Sequence, residues 1–286
     1  MPTEYPREKS TYVIDPESGA ETARLLFQDD LLTQQLGGLF PVDVDEASAK
    51  QVLDLACGPG GWALNVAYTY PTMEVYGVDI SQAFVRYASA QAQARRLDNA
   101  YFQVMDVLKP LDLDDESFDV VNARLLFGFM PTKAWSSLLK ECLRILRPGG
   151  LICLTECEVG ITNGPISEQL SHIFLQAMQR AGMIFSPDGR HVGITPMLGG
   201  LLRDAGFVDI RQKAETIDYS AGSSIHDAYC ENIMVGSKLA QPFMIKMGIT
   251  TQEEVDRLYE QCLEEVGGEG FRAIWYYLHA WGRKQP

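Results

Sequence analysis

The sequence is poor in positive charge, with 24 Lys and Arg against 38 Asp and Glu and a net charge of −14. A phosphate backbone is bound through clustered basic side chains, so nucleic acid is not expected as a partner. No stretch approaches 18 consecutive apolar residues, which leaves no segment to span a membrane as a helix. The first ten residues carry Glu4, Arg7, Glu8 and Lys9 and lack the apolar centre of a secretory leader, so a cytoplasmic location is expected. Six cysteines occur, none in C-x2-C spacing, and Cys153/Cys157 falls within strand-like text; reduced, buried thiols are expected and no metal. Only four histidines are available as bases.

What is present is a long β/α alternation in a chain of 286 residues. A polar, proline-bearing arm (1–18) precedes a helix over 21–36, stopped by Gly37 and Gly38. Short apolar strands are expected at 51–56, 74–78, 100–105, 118–122 and 151–156, with helices at 61–70, 81–96 and 132–146 between them. Such alternation is the signature of a parallel sheet covered on both faces. Further helices are expected at 167–181 and 196–205, a strand from 207 to 213 or on to 219, two helices at 224–240 and 252–266 behind a Thr250 cap, and a closing strand at 271–281. The domain reading is an arm and cap helix at 1–40, a core at 41–222 with 270–286, and a helical cap insertion at 223–269. An insertion that long inside a compact domain is usually a lid or a binding element.

The sharpest local feature is VLDLACGPGG at 52–61, a strand that stops in glycines and opens a helix. Backbone without Cβ atoms lets a ligand approach closely, and the N–H groups of the helix start face it. Gly58-x-Gly60-x-x-Ala63, followed by Asp79 about 20 residues on, fits a nucleotide cofactor whose ribose hydroxyls need a carboxylate. That pattern alone admits a nicotinamide dinucleotide or S-adenosylmethionine. Asp54, two residues before the strand end, aims a negative charge at the turn. It repels a diphosphate and suits the ammonium of a methionine tail.

The pattern as a whole resembles the class I (Rossmann-like) S-adenosylmethionine-dependent methyltransferases of the small-molecule type. VLDLACGPGG is similar to their first motif, VYGVDIS (75–81) to the second-strand motif, and FQVMDVLKP (102–110) to the third. SFDVVNARLLF (117–127) and LRILRPGGLICLTE (143–156) resemble the fourth-strand motif and the turn into strand five, and AGFVDI (205–210) with the final aromatic strand resembles the family's ending. The resemblance implies a seven-stranded, doubly wound α/β sheet in the order 3-2-1-4-5-7-6, last strand antiparallel, with a helical cap. It also implies roles. Asp79 takes both ribose hydroxyls with Ile80 against the adenine, and Asp106 takes the exocyclic amine with Val107 alongside. Gly58 and Gly60 line the methionine portion, whose ammonium meets Asp54 and the carbonyls of Ala56 and Asn122. Asp79 and Asp106 could instead cap helices.

The expected activity is methyl transfer from S-adenosylmethionine to a small-molecule acceptor, at oxygen or nitrogen in preference to carbon. Two alternatives stand beside it: a non-catalytic S-adenosylmethionine-binding protein, and a nicotinamide-dependent oxidoreductase. Candidate acceptor-side groups are His191, His226 and His172 as bases, Tyr12 closing over the donor or simply packed, and Arg124 meeting a substrate anion or pairing with an acid. Glu156 and Glu158 are rim acids, His279 reads as structural, and the stripe Phe271, Trp275, Tyr277 and Trp281 reads as core.

Overall fold

The computed structural model describes residues 11–286. Its centre is a sheet whose first five strands are parallel: β1 (Gln51–Leu55), β2 (Glu74–Asp79), β3 (Ala100–Val104), β4 (Phe118–Arg124) and β5 (Leu146–Cys157), in the order β3-β2-β1-β4-β5. β1 sits in the middle with Val52, Leu53 and Leu55 shielded from water. Burial on both faces is what a run as apolar as Val52-Leu53-Asp54-Leu55, interrupted only by Asp54, requires. α2 (Gly61–Thr69), α3 (Gln82–Arg95) and α4 (Trp135–Ile145) supply the crossovers. A two-residue strand, β6 (Ile161–Thr162), follows β5. β7 (Val208–Asp218) and β8 (Ala273–Arg283) complete the sheet, with β8 antiparallel between β5 and β7 and β6 continuing the β5 edge. The expected order is therefore found, the short β6 shifting the numbers of the last two strands.

Several boundaries differ from the sequence reading for identifiable reasons. β5 starts at Leu146, ahead of the Pro148-Gly149-Gly150 turn, because Leu146 already pairs with Phe118 across a bulge. The helix expected to end near 240 runs through Pro242 as α7 (His226–Lys246). The cap of α8 (Gln252–Val266) is Thr251, whose hydroxyl accepts from the Glu254 N–H, while Thr250 bonds the Glu254 carboxylate.

α1 (Gly19–Gln35), α5 (Pro165–Arg180), α7 and α8 pack on one another beyond the carboxyl ends of the parallel strands: α5 on α8, α7 on both, and α1 on α7 and α2. α6 (Leu198–Ala205) lies against α4 and leads into β7. None of the described helices is long and apolar enough to cross a membrane.

Candidate active site

One large cavity opens beyond β1, β4 and β5. Its near end is the β1–α2 turn. Gly58 has φ +54°, and its N–H donates to Asp79 Oδ2 at 2.9 Å; the Ser81 N–H donates to Asp79 Oδ1 at 2.8 Å. Asp79 thus ties the end of β2 to the glycine turn, and each oxygen keeps a lone pair for a further donor. Burial raises its pKa against the backbone bonds that lower it. The cap of α3 is Ser81, which accepts from Phe84 N–H, so Asp79 does not serve as a helix cap. Asp106 does not either. Its Oδ1 accepts from the Leu108 N–H at 2.9 Å in a turn, with Lys109 Nζ 3.7 Å from the other oxygen. Ile80, Val107 and Ala56 line the same wall.

Asp54 is almost wholly buried, and its Oδ1 accepts from Asn122 Nδ2 at 2.8 Å. The strand register sets this pair directly opposite each other, Asp54 on β1 and Asn122 on β4. Burial pushes the Asp54 carboxyl up to about 7, against the pull of Arg124 and the Asn122 bond. Arg124 is ion-paired with Asp29 of α1 and lies 6.0 Å from the centre of the Trp62 ring. The other Asp29 oxygen, Oδ2, is buried with no hydrogen-bond partner and rests where a Cβ on Gly61 would come within 2.7 Å of it. An orphaned carboxylate oxygen, a carboxyl poised near neutrality and a ring of open backbone suit a cationic, hydroxyl-bearing nucleoside ligand. They do not suit a diphosphate.

Two expected donor contacts are not on the cavity wall. Gly60 has φ +83°, and a Cβ there would lie 2.7 Å from Ala88 Cβ and 3.0 Å from Phe102 Cε1, so this glycine seats α2 against α3 and β3. Asn122, expected to contribute its carbonyl, is absent from the lining, and its side chain donates to Asp54. The three histidine candidates also lie off the wall. His191 and His172 are exposed, and His226 holds the Tyr219 carbonyl through Nδ1 at 2.8 Å. His279 bonds Thr155 Oγ1 at 2.9 Å, and burial lowers its pKa to about 4, a structural role. The two rim acids are staples: Glu156 accepts from the Leu126 and Phe127 N–H groups, and Glu158 from Gly193, Thr195 and the Thr195 hydroxyl.

Tyr12 and Arg124 are on the wall. Tyr12 donates to Glu21 Oε1 at 2.6 Å, Arg24 closes on both Glu21 oxygens at 2.7 Å, and Arg24 Nη1 reaches Asn232 Oδ1 of α7 at 3.3 Å. Glu21 is completely buried. The sequence reading missed this network, although Glu21, Arg24 and Gln28 fall on one helical stripe among the leucines. The arm is further fixed by Val13 N–H on the Gly128 carbonyl at 3.2 Å and Thr11 Oγ1 on Phe129 at 2.9 Å. Residues 1–10 of the expected arm lie outside the described residues.

The far end differs in kind. Every lining residue supplied by α5, α7, α8 and β8 is uncharged, including Leu170, Phe174, Met234, Ala240, Met244 and Val266. Phe271 and Tyr277 are buried in a hydrophobic cluster with Trp275 packed on it, and Trp281 packs against the α2 side of the sheet, so the stripe is core as read; Phe271, Trp275 and Tyr277 also border the cavity. Alternation puts 275 and 277 on one face of β8, which meets Tyr229 and Cys230 of α7.

With this geometry in place, comparison with known proteins is direct. Residues 52–150 match the family model described as a methyltransferase domain. The chain is 30% identical over 186 residues to a ubiquinone/menaquinone biosynthesis C-methyltransferase of Desulfotalea psychrophila, spanning 59% of this chain and 70% of that protein. It is 28% identical over 188 residues to a demethylmenaquinone methyltransferase of a Geobacillus species, spanning 60% and 76%. Haemonchus contortus phosphoethanolamine N-methyltransferase 2, solved with phosphomonomethylethanolamine and S-adenosylhomocysteine, superposes with a TM-score of 0.55 at 18% identity, over 99% of this chain and 61% of that one. The [4+2]-cyclase SpnF does so at 0.53 and 19%, over 97% and 88%. At such identities the two structures speak for the fold alone.

The chain belongs to the class I S-adenosylmethionine-dependent methyltransferases. It is an enzyme of that class acting on small molecules, and S-adenosylmethionine is its methyl donor. The nicotinamide and non-catalytic alternatives fall with that assignment.

Proposed function

We propose that the enzyme methylates an uncharged, largely apolar acceptor held between α5, α7, α8 and β8, with the donor over the β1–α2 turn. The observation that carries this is that the charged lining residues come from α1, the strand ends and the loops after them, whereas every lining residue from α5, α7, α8 and β8 is uncharged. Among the former, Asp79 binds the ribose hydroxyls, Asp106 the adenine amine, and Asp54 with the orphaned Asp29 oxygen the ammonium. The bound donor supplies an electrophilic methyl. The chain's own part is to align it, exclude water and hold the acceptor in line. Tyr12, the rest of the described arm, α1 and the 223–269 helices serve as the cap.

Among the acceptor atoms considered, oxygen fits and nitrogen fits least, because a cationic amine would find no carboxylate in the lining from α5, α7, α8 and β8. Carbon beside an oxygen fits equally, and the demethylmenaquinone enzymes among the relatives agree with a flat, apolar acceptor of that kind. The acidic surface disfavours nucleic acid, and six unpaired cysteines fit a reducing cytoplasm.

The test is methyl-labelled S-adenosylmethionine with a panel of phenols, hydroquinones and aliphatic amines, followed by solvent partition. Label is expected in the organic phase, on phenolic or quinol products. Label found only on amines would refute the proposal.

A further inference from the structure

The uncharged end of the cavity is not uniformly apolar. Tyr219 is 3% exposed and lines the wall, yet its hydroxyl has no hydrogen-bond partner among the described residues. Space for that hydroxyl is made by Gly160, where a Cβ would collide with it and come within 3.1 Å of the Trp275 ring. Beside it, with ring centres 5.0 Å apart, is Tyr229, whose hydroxyl is 2.6 Å from that of Tyr277. Both of these also line the cavity.

Each tyrosine owns one O–H, and the Tyr229–Tyr277 contact uses only one of the pair. Among the described residues the other O–H has nothing to donate to, and neither has that of Tyr219. Burial holds all three phenols well above their ordinary pKa, so they remain neutral donors and are not bases. Two unspent tyrosine donors, with the buried and unpartnered Trp275 Nε1–H beside them, in a chamber lined by Met234, Val266 and Phe271 call for an acceptor oxygen carried by an apolar body.

We infer that Tyr219 and the Tyr229–Tyr277 pair form an oxygen-recognition site, which donates to a carbonyl or phenolic oxygen of the acceptor and selects it over a hydrocarbon of the same shape. This rests on the proposed location of the acceptor and adds which residues read it. Because the pair shares one bond, removing either hydroxyl frees the other to take over. The paired tyrosines should therefore be silent singly and show their effect only together.

The test uses full-length protein saturated with S-adenosylhomocysteine and two probes of matched area, 1-naphthol and naphthalene, followed by tryptophan fluorescence. Wild type should prefer 1-naphthol by about tenfold or more, the span of one to two buried hydrogen bonds. Tyr229→Phe should keep the preference. Tyr219→Phe and the double Tyr229→Phe/Tyr277→Phe should each lower it several-fold, and the triple variant should lower it furthest, leaving at most what the Trp275 N–H supplies, while naphthalene affinity and S-adenosylhomocysteine affinity hold. Equal binding of the two probes by wild type, a preference undiminished in the triple variant, or binding of neither probe to the loaded protein would overturn the inference. Failure of wild type to bind S-adenosylhomocysteine at all would instead count against the donor end.

Discussion

Asp54 offers a proton count that can be read directly in solution. In the free protein burial holds its carboxyl at about 7, so near pH 7 about half of the molecules carry the proton. An ammonium seated beside it favours the ionised form, and the Asn122 bond already does. Uptake of S-adenosylhomocysteine, which carries that ammonium, should release about half a proton per site at pH 7, approaching one near pH 6 and falling to about a tenth at pH 8. The complex binds fewer protons than the free protein. Affinity must therefore rise with pH, by up to about tenfold per unit below 7, and level off above it. Titration calorimetry in buffers of differing ionisation enthalpy measures the release. Asp29, Asp79 and Arg124 all act on this carboxyl, so the diagnostic quantity is the difference from Asp54→Asn, which keeps an acceptor for Asn122. Heat independent of buffer at pH 6.5, or equal release by Asp54→Asn, would refute the reasoning.

Other outcomes follow from the same geometry. Asp79→Ala should weaken S-adenosylhomocysteine at least about 100-fold in calorimetry, since two charge-assisted bonds of about 1.5–3 kcal/mol each are lost. Gly60→Ala should cost about 2–4 kcal/mol in denaturant unfolding, from the positive φ and the contact with Ala88, and leave donor affinity of the folded fraction unchanged. Gly58→Ala shares the positive-φ strain, but its Cβ meets only Leu25 at 3.7 Å, so it should cost less stability than Gly60→Ala and lower donor affinity. Burial raises Glu156 from 4.5 to about 8, so the native state holds a proton that the unfolded chain releases, and stability should decline as pH rises across that window. Glu156→Gln should flatten that decline in denaturant midpoints taken from pH 5 to 9.

The sheet was legible because parallel strands buried on both faces are short apolar runs bounded by Gly and Pro, and 51–55, 74–79 and 118–124 all read that way. Residues fixed by a single strand end, such as Asp79 and Asp106, could be placed on the cavity rim for the same reason. What could not be read depends on neighbours remote in sequence. Gly58 and Gly60 look alike in the text, and only the arrival of Ala88 and Phe102 separates a cavity-lining glycine from a packing one. The stripe on β8 has the same alternation whether helices cover it or leave a chamber in front of it. The histidines were chosen by residue type within loops, where backbone direction is set by contacts such as His226 with Tyr219.

The bond from Arg24 to Asn232 joins positions 208 residues apart. During synthesis the glycine turn and its carboxylates therefore emerge long before the chamber they serve can be roofed, and a nascent chain lacking α7 would present a sheet with no enclosed space. Capture of the nucleoside should then report that α1 and α7 have met, and deletion of α7 should weaken it without touching any residue at the glycine turn.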